Sequence, residues 1–505
     1  VVPTKYGKVR GYIDDGIYAF RGIPYAKAER FMPPQAPDKW DDVRQCQIYG
    51  PQAMQGKAQS WGGQSDPHFG FQFVVEPMDE DCFVLNVWSQ GINDGKKRPV
   101  WVWIHGGGFS SGSANQLPFF DGRALADKGD IVVVTVNHRL NTLGYVDLRG
   151  LGGKYSESVN LGMQDLVAAL KWVNENIENF GGDPNTVTID GQSGGGAKVS
   201  TLTAMPSAAG LFQRAIVQSG AILEVGGNDL NKEFGLEFIN ELGITPDEAD
   251  KLNDFSYEDL VEASNRVSSR MRDIEVPFMM HPGQCPVIDG KYIVQHPFDP
   301  TPAEFSRDVA MLIGSNLNES GYINRQLITP KTMTEVKATL TERYGAENAD
   351  KYIAAYQEAY PDDDQPQHIL TTSIRTRALQ QAAIKNAQGG APAYVYLFEW
   401  QSPPNDGSLG AAHGMELPFM FNNIALARPL TGGGKDAYEM ADKISSAWIN
   451  FVKTGDPNCK ELPKWPAYTP DEGATMIFDN KCEVRYNFDQ KLIDLVSTLP
   501  SISMF

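Results

Sequence analysis

Short apolar runs, many of them β-branched, recur along the chain with amphipathic stretches between them: Val100–Ile104, Ile131–Val136, Val187–Ile189, Ala215–Val217, Val309–Ile313 and Tyr394–Phe398. Runs that are apolar at consecutive rather than alternate positions predict strands buried on both faces. With helices between them they predict an α/β fold, a mostly parallel sheet with helices on both sides. The clearest helix has Leu166, Leu170, Val173, Ile177 and Phe180 at three- or four-residue spacing. It stops at FGGDPN, residues 180–185, where glycine and proline end a helix. Two stretches, about 225–300 and about 325–385, are more charged and mostly helical in pattern. They are expected to be cap-like insertions over the carboxyl edge of the sheet, where α/β proteins bind ligands. No Ser/Gly/Pro-rich linker divides the chain, so residues 1–505 are expected to form one domain.

Composition narrows the function classes. The chain is 41% apolar, with no apolar run near the roughly 18 residues a membrane span needs. Its 63 acidic against 44 basic residues give a net charge of −19, which argues against a nucleic-acid partner, because phosphate binding needs clustered Lys and Arg. The five cysteines, Cys46, Cys82, Cys285, Cys459 and Cys482, show no metal-ligand spacing and are too few to knit a disulfide scaffold. No metal or organic cofactor is expected. The chain starts at Val1 rather than Met, so a trimmed start is expected, and a secreted or periplasmic location is favoured over a cytoplasmic one. Nothing in the composition defines an oligomeric state.

The candidate chemistry starts at VTIDGQSGGGAKVS, residues 187–200, where a strand pattern runs into Ser193 surrounded by Gly191, Gly194, Gly195 and Gly196. Such glycine density implies a backbone path that side chains would block. GQSGG fits the GxSxG nucleophile elbow, a sharp strand-to-helix turn that exposes a serine hydroxyl above a sheet; taken alone, the pentapeptide also fits a glycine-rich turn or phosphate loop. A serine nucleophile needs a base and a group that orients the base, which on such sheets follow in the order serine, acid, histidine. Only His281, His296, His368 and His413 come after Ser193. His281 and His296 precede prolines, whereas His413 lies in SLGAAHGMEL, a small-residue loop after the strand AYVYLFEW, and is the expected base. For the acid, Glu319 follows the buried run VAMLIGSN; Asp289 in PVIDG competes, but its Asp-Gly pair reads as a hairpin turn. VWVWIHGGGF places His105, Gly106, Gly107, Gly108 and Phe109 directly after a strand, an HGGG-type element whose backbone N–H groups can meet an oxyanion.

With these residues in place, the chain resembles the type-B carboxylesterase (cholinesterase-like) family of the α/β-hydrolase fold. The resemblance runs nearly end to end, through FRGIPYA, ERFMPP, DEDCFVLNVW, WVWIHGGGF, VNHRL, FGGDPNTVTIDGQSGGG, IVQSGA, GSNLNESG, HGMELPFMF and TGDPN. It implies hydrolysis of small-molecule carboxylic esters through an acyl-enzyme intermediate, with Ser193 as nucleophile, Glu319 as acid and His413 as base. It further implies an oxyanion hole at Gly107, Gly108 and Gly194, supporting roles for Ser219 and Glu416, and ion pairs Arg30 with Glu80 and Arg139 with Asp165. Members that have become silent binding or adhesion proteins lack part of the triad, which is intact here.

Three departures stand out. The family usually reads GESAG, and here Gln192 replaces the glutamate and Gly194 the alanine. Ala53 stands where many relatives carry the disulfide partner of Cys82, so Cys82 is expected to be a small buried apolar residue. FMMHPGQC, residues 278–285, replaces the acyl-pocket aromatics of cholinesterases, and the loops around Gln55–Pro77 are expected to set substrate choice. The formal glycosylation sequon at Asn318 is rejected, because a glycan there would crowd the acid.

Overall fold

The computed structural model describes residues 1–56, 65–66, 71–72, 74, 76–322, 329–371 and 375–499. Most of the 55–77 loop expected to govern substrate choice therefore lies outside the described residues. The chain forms two compact units, one built on Val1–Lys57, Val74–Gln116 and Asp121–Ala310, the other chiefly on Leu117–Phe120 and Met311–Phe505.

The first unit is organised by strands β1 (Tyr12–Asp14), β2 (Ile17–Pro24), β3 (Val84–Ser89), β4 (Arg98–Ile104), β5 (Val132–Val136), β6 (Gly182–Gln192) and β7 (Arg214–Gln218). Their order is β7-β6-β4-β5-β3-β2-β1. Strands β4 to β7 pair in parallel and β1 to β3 extend the sheet antiparallel. Four of the six apolar runs read from the sequence, Val100–Ile104, Ile131–Val136, Val187–Ile189 and Ala215–Val217, fall on these parallel strands, and the runs are buried. The register pairs Ile104 with Gly191 and Gln192 with Gln218. The carboxyl ends of β4, β6 and β7 are thus level, and the HGGG segment, the elbow and Ser219 leave the sheet side by side.

The helix read before β6 is α-helical over Leu161–Asn176 and tightens into a 3-10 turn over Ile177–Phe180, which Gly181 closes at φ 80°. Within 225–300, helices Asn228–Glu241 and Tyr257–Arg270 bury Phe234, Phe238, Leu260 and Val267 against Leu143, Val146 and Phe31. Residues 271–300 carry no helix. Pro277, Pro282, Pro286, Pro297 and Pro300 each remove a backbone donor there, and they outweigh the polar periodicity that suggested one.

The second unit holds β8 (Ala310–Asn316), β9 (Ala393–Phe398), β10 (Ala474–Phe478) and β11 (Glu483–Tyr486), in the order β11-β10-β9-β8. The first three are parallel and β11 is antiparallel. Helices Met333–Tyr344, Ala346–Ala359, Arg375–Gln388 and Lys435–Thr454 accompany them. Asn318, just past β8, bridges Ala412 in the loop that follows β9, which joins the two segments expected to carry the acid and the base.

Candidate active site

Ser193 sits between β6 and the helix Gly194–Leu202 with φ 59° and ψ −127°. A residue with a Cβ avoids this conformation at a cost of about 1–3 kcal/mol, so the surroundings must hold it there. They do so through its N–H, which donates to Gln218 O at 2.8 Å, and its carbonyl, which accepts from Ala197 N at 3.1 Å. Two glycine contacts explain the density around it. A Cβ on Gly191 would fall 2.4 Å from Gly195 C, and one on Gly194 would fall 2.1 Å from Gly108 O and 2.4 Å from Gly108 Cα. The second contact sets the elbow directly against the HGGG segment, in which Gly107 and Gly108 take φ of 85° and 60°.

Two further residues of this unit complete the neighbourhood. The side chain of Gln192 lies against the same segment, its Oε1 3.2 Å from where a Cβ of Gly106 would be. Ser219 is buried beside the elbow at φ 50°, and among the described residues its hydroxyl has no hydrogen-bond partner.

In the second unit the His413 imidazole is hydrogen-bonded through Nδ1 to the Glu319 carboxylate, and both side chains are buried. With Nδ1–H donated to the acid, Nε2 is the basic nitrogen. Burial favours the neutral ring. The Glu319 charge and hydrogen bond, with the Glu416 charge behind them, outweigh it and hold His413 above its ordinary value of 6.5. Glu416 is pushed up to about 7, first by burial and then by the Glu319 charge.

Asn316, which the sequence reading passed over, ties this group together. Its backbone N–H donates to Glu319 at 2.8 Å, and its Nδ2 donates to Glu416 and to Ala412 O, both at 2.6 Å. Its place at the end of a buried strand, three residues before the acid, was the available signal. Arg377 was also missed; burial lowers it to about 10, and the Glu319 charge works against that shift.

The rejected candidates have other duties. Asp289 accepts from the backbone N–H groups of Lys291 and Tyr292, each at 2.7 Å, and from Asn160 Nδ2, so it closes a turn. His296 Nδ1 accepts from Val225 N at 3.2 Å, His281 is exposed, and His368 is buried against Asp363. Asn318 is wholly buried, with its amide engaged by Thr371 and Ala411. The five cysteines are free, Cys82 is buried, and burial pushes its thiol up. Arg139 forms a bidentate pair with Asp165 at 2.9 and 2.7 Å, and Arg30 pairs with Glu80. Among the described residues no cluster of His, Cys, Asp or Glu forms a metal site, and no helix is long and apolar enough to cross a membrane.

A strained serine at the end of a parallel strand, a facing glycine segment and a carboxylate-bound histidine on strand-end loops define the class of serine hydrolases built on α/β sheets. The comparisons are specific. The carboxylesterase family model matches residues 1–495, and the chain belongs to that family. It is 34% identical over 501 residues to the para-nitrobenzyl esterase of Bacillus subtilis, covering 96% of each chain. It is 32% identical to the phenmedipham hydrolase of Pseudarthrobacter oxydans, with 94% of each covered. Among solved structures, an esterase of Clostridium hathewayi, described as able to hydrolyse aliphatic aromatic polyesters, matches with a TM-score of 0.88 at 36% identity, covering 99% of this chain and 98% of that one. The fold is the α/β-hydrolase fold, and the protein is a carboxylic-ester hydrolase.

Proposed function

We propose that the protein hydrolyses neutral carboxylic esters with Ser193, His413 and Glu319 acting as one triad. The observation that carries this reading is the backbone of Ser193, held at φ 59° and ψ −127°, the strained geometry of a turn that presents a hydroxyl. Ser193 Oγ attacks the ester carbonyl while His413 Nε2 takes its proton. The N–H groups of Gly107, Gly108 and Gly194 receive the oxyanion. His413 then protonates the leaving alcohol, and water activated by the same nitrogen releases the acid from the acyl-enzyme, with Glu319 stabilising the imidazolium throughout. Gln192 gives the site no carboxylate beside the nucleophile, which supports uncharged alcohol groups over cationic ones. The family model, running unbroken over residues 1–495, supports reading the chain as one catalytic domain, with the helices of 228–270 and 333–388 as its insertions.

Ser193→Ala tests the assignment. It should retain the fold and lose nearly all turnover, since loss of a triad member can cost about 10⁶-fold. An organophosphonate should add one mass to the wild type, on the peptide that contains Ser193. Labelling at another serine, or an active alanine variant, overturns the triad.

A further inference from the structure

One buried group near the elbow has no part in that chemistry. Lys198 lies five residues after Ser193 on the helix Gly194–Leu202 and is wholly buried. Its Nζ donates to the His105 carbonyl at 3.1 Å and stands 5.7 Å from the centroid of the Phe109 ring. Two imidazoles flank it, His105 and His138, stacked at 4.8 Å with their planes 12° apart. Their Nδ1 atoms lie 2.8 and 2.9 Å from the carbonyls of Gly106 and Arg139. Burial first, and then the Lys198 charge, hold both rings well below their ordinary value, so both are neutral. Among the described residues no carboxylate pairs with the ammonium, and desolvation pushes it down to about 7.

An ammonium buried without a counter-ion is costly, and an apolar side chain of the same length would fill the space without that cost. Its placement suggests what offsets the cost. The carbonyl it holds belongs to the first residue of the 105–109 segment, two residues before Gly107. We propose that Lys198 is a positioning residue for ester hydrolysis: its ammonium, anchored on the His105 carbonyl, holds the 105–109 segment at the elbow and sets a positive charge behind the oxyanion site of Gly107, Gly108 and Gly194. The inference rests on the oxyanion site given under the proposed function.

The charge acts when negative charge develops on the substrate oxygen, so it raises kcat and leaves KM nearly unchanged. Two residues of chain reach at most about 7 Å, so the ammonium, 3.1 Å from the His105 carbonyl, lies within roughly 10 Å of the Gly107 N–H. At that separation and an effective dielectric near 20, one unit charge stabilises the oxyanion by about tenfold in rate. Coupling is reciprocal, so an oxyanion must raise the proton affinity of Lys198 by the same factor of about ten. The proton lost by Ser193 stays on His413 in a tetrahedral adduct. Proton uptake by the wild type in excess of that by a variant without the ammonium therefore reports Lys198.

The test uses the wild type, Lys198→Met and Lys198→Gln, with a neutral aryl ester, an aryl trifluoromethyl ketone that forms a tetrahedral adduct, and the corresponding methyl ketone. In Lys198→Met, kcat and trifluoromethyl ketone affinity should each fall about threefold at pH ~7.5, where Lys198 is partly protonated, and about tenfold toward pH ~6, where it is fully protonated, with KM and methyl ketone affinity little changed at either pH. Lys198→Gln, which keeps a donor without the charge, should show the same pattern and takes its place should the methionine variant not fold. Calorimetry in buffers of different ionisation enthalpy should show the wild type taking up more protons than either variant at pH ~7.5 on binding the trifluoromethyl ketone, by as much as about half a proton, since release from His413 and Glu416 is common to all three. The inference is overturned by a folded variant with wild-type kcat, by equal weakening of both ketones, or by wild-type adduct formation with no more proton uptake than the variants show. A wild type that binds the two ketones equally would instead overturn the oxyanion site itself.

Discussion

Replacing Gly194 by alanine installs the residue of the GESAG pattern at this position, and in this chain it should be damaging. The added Cβ would lie 2.1 Å from Gly108 O, 2.4 Å from Gly108 Cα and 2.5 Å from Gly108 C. All three are main-chain atoms, so no side chain can swing aside. Restoring ordinary contact requires the 107–108 segment and the elbow to separate by roughly 1 Å. Two of the proposed oxyanion donors lie on that segment and the third is residue 194 itself. A misplacement of about 1 Å can cost about 10²-fold in rate, and loss of one oxyanion donor costs a similar factor. The helix starting at Gly194 meanwhile gains from the exchange, by less than about 1 kcal/mol. Gly194→Ala should therefore lower kcat for a neutral aryl ester by about 10²-fold, normalised by active-site titration, with the melting temperature within a few degrees of wild type. A kcat within about threefold of wild type would show that the segment yields freely and that the close approach does not set donor geometry.

Glu319→Gln should cost activity severely while Asp289→Asn costs little, because Glu319 holds His413 and Asp289 closes a turn; kcat for both variants checks this, and the opposite ranking refutes the assignment of the acid. His413 must be neutral to accept a proton and is held above 6.5, so kcat/KM should fall as pH drops, with the decline beginning above the ordinary histidine range. In Glu319→Gln the residual activity should show that acid limb at lower pH, since the group raising the histidine is gone. Gln192→Glu should improve kcat/KM for a cationic ester relative to its neutral isostere, more at low salt than at high salt, and equal changes for both esters would remove position 192 from the alcohol site.

Strands and turns with a strong local signature were legible in the sequence. The elbow could be read because its glycines are required by close main-chain approach, as at Gly191 and Gly195, and such a requirement leaves a compositional trace. Glu319 was separable from Asp289 because an Asp-Gly pair is itself turn chemistry, and the structure spends that carboxylate on backbone N–H groups. Lys198 left no such trace, and Asn316 left only its position at the end of a buried strand. Their importance comes from burial, and a lysine in GGGAKVS or an asparagine in GSNLNES reads locally as an ordinary polar residue until its surroundings are known. Residues 271–300 failed for a related reason, since their polar spacing suited a helix while five prolines denied it the donors.

Each unit buries charges of both signs, Asp165 and Asp190 in the first and Arg375 and Lys385 in the second, but the buried groups of the proposed site differ in sign between the units and match the charge each would face in the proposed reaction. The first unit buries Lys198, two neutral imidazoles and the N-terminal end of the Gly194–Leu202 helix, whose partial charge is positive. It is the unit that carries the proposed oxyanion site, where negative charge would develop. The second buries Glu319 and Glu416 around His413, where positive charge would develop on the imidazole. Each arrangement costs desolvation in the resting protein, offset in part by hydrogen bonds from Asn316 and to His105, and is compensated further as the opposite charge appears, as expected of a field organised for a transition state. Substitutions in the two units should therefore separate kinetically. Changes at Glu319 or Glu416 should move the acid limb of the pH profile along with the rate, since they act on the proton affinity of His413. A change at Gly194 should lower the plateau and leave the acid limb of kcat/KM where it was. A Gly194→Ala enzyme whose acid limb shifts as far as that of Glu319→Gln would mean that the elbow and the histidine loop respond as one electrostatic unit, and the separation argued here would fail.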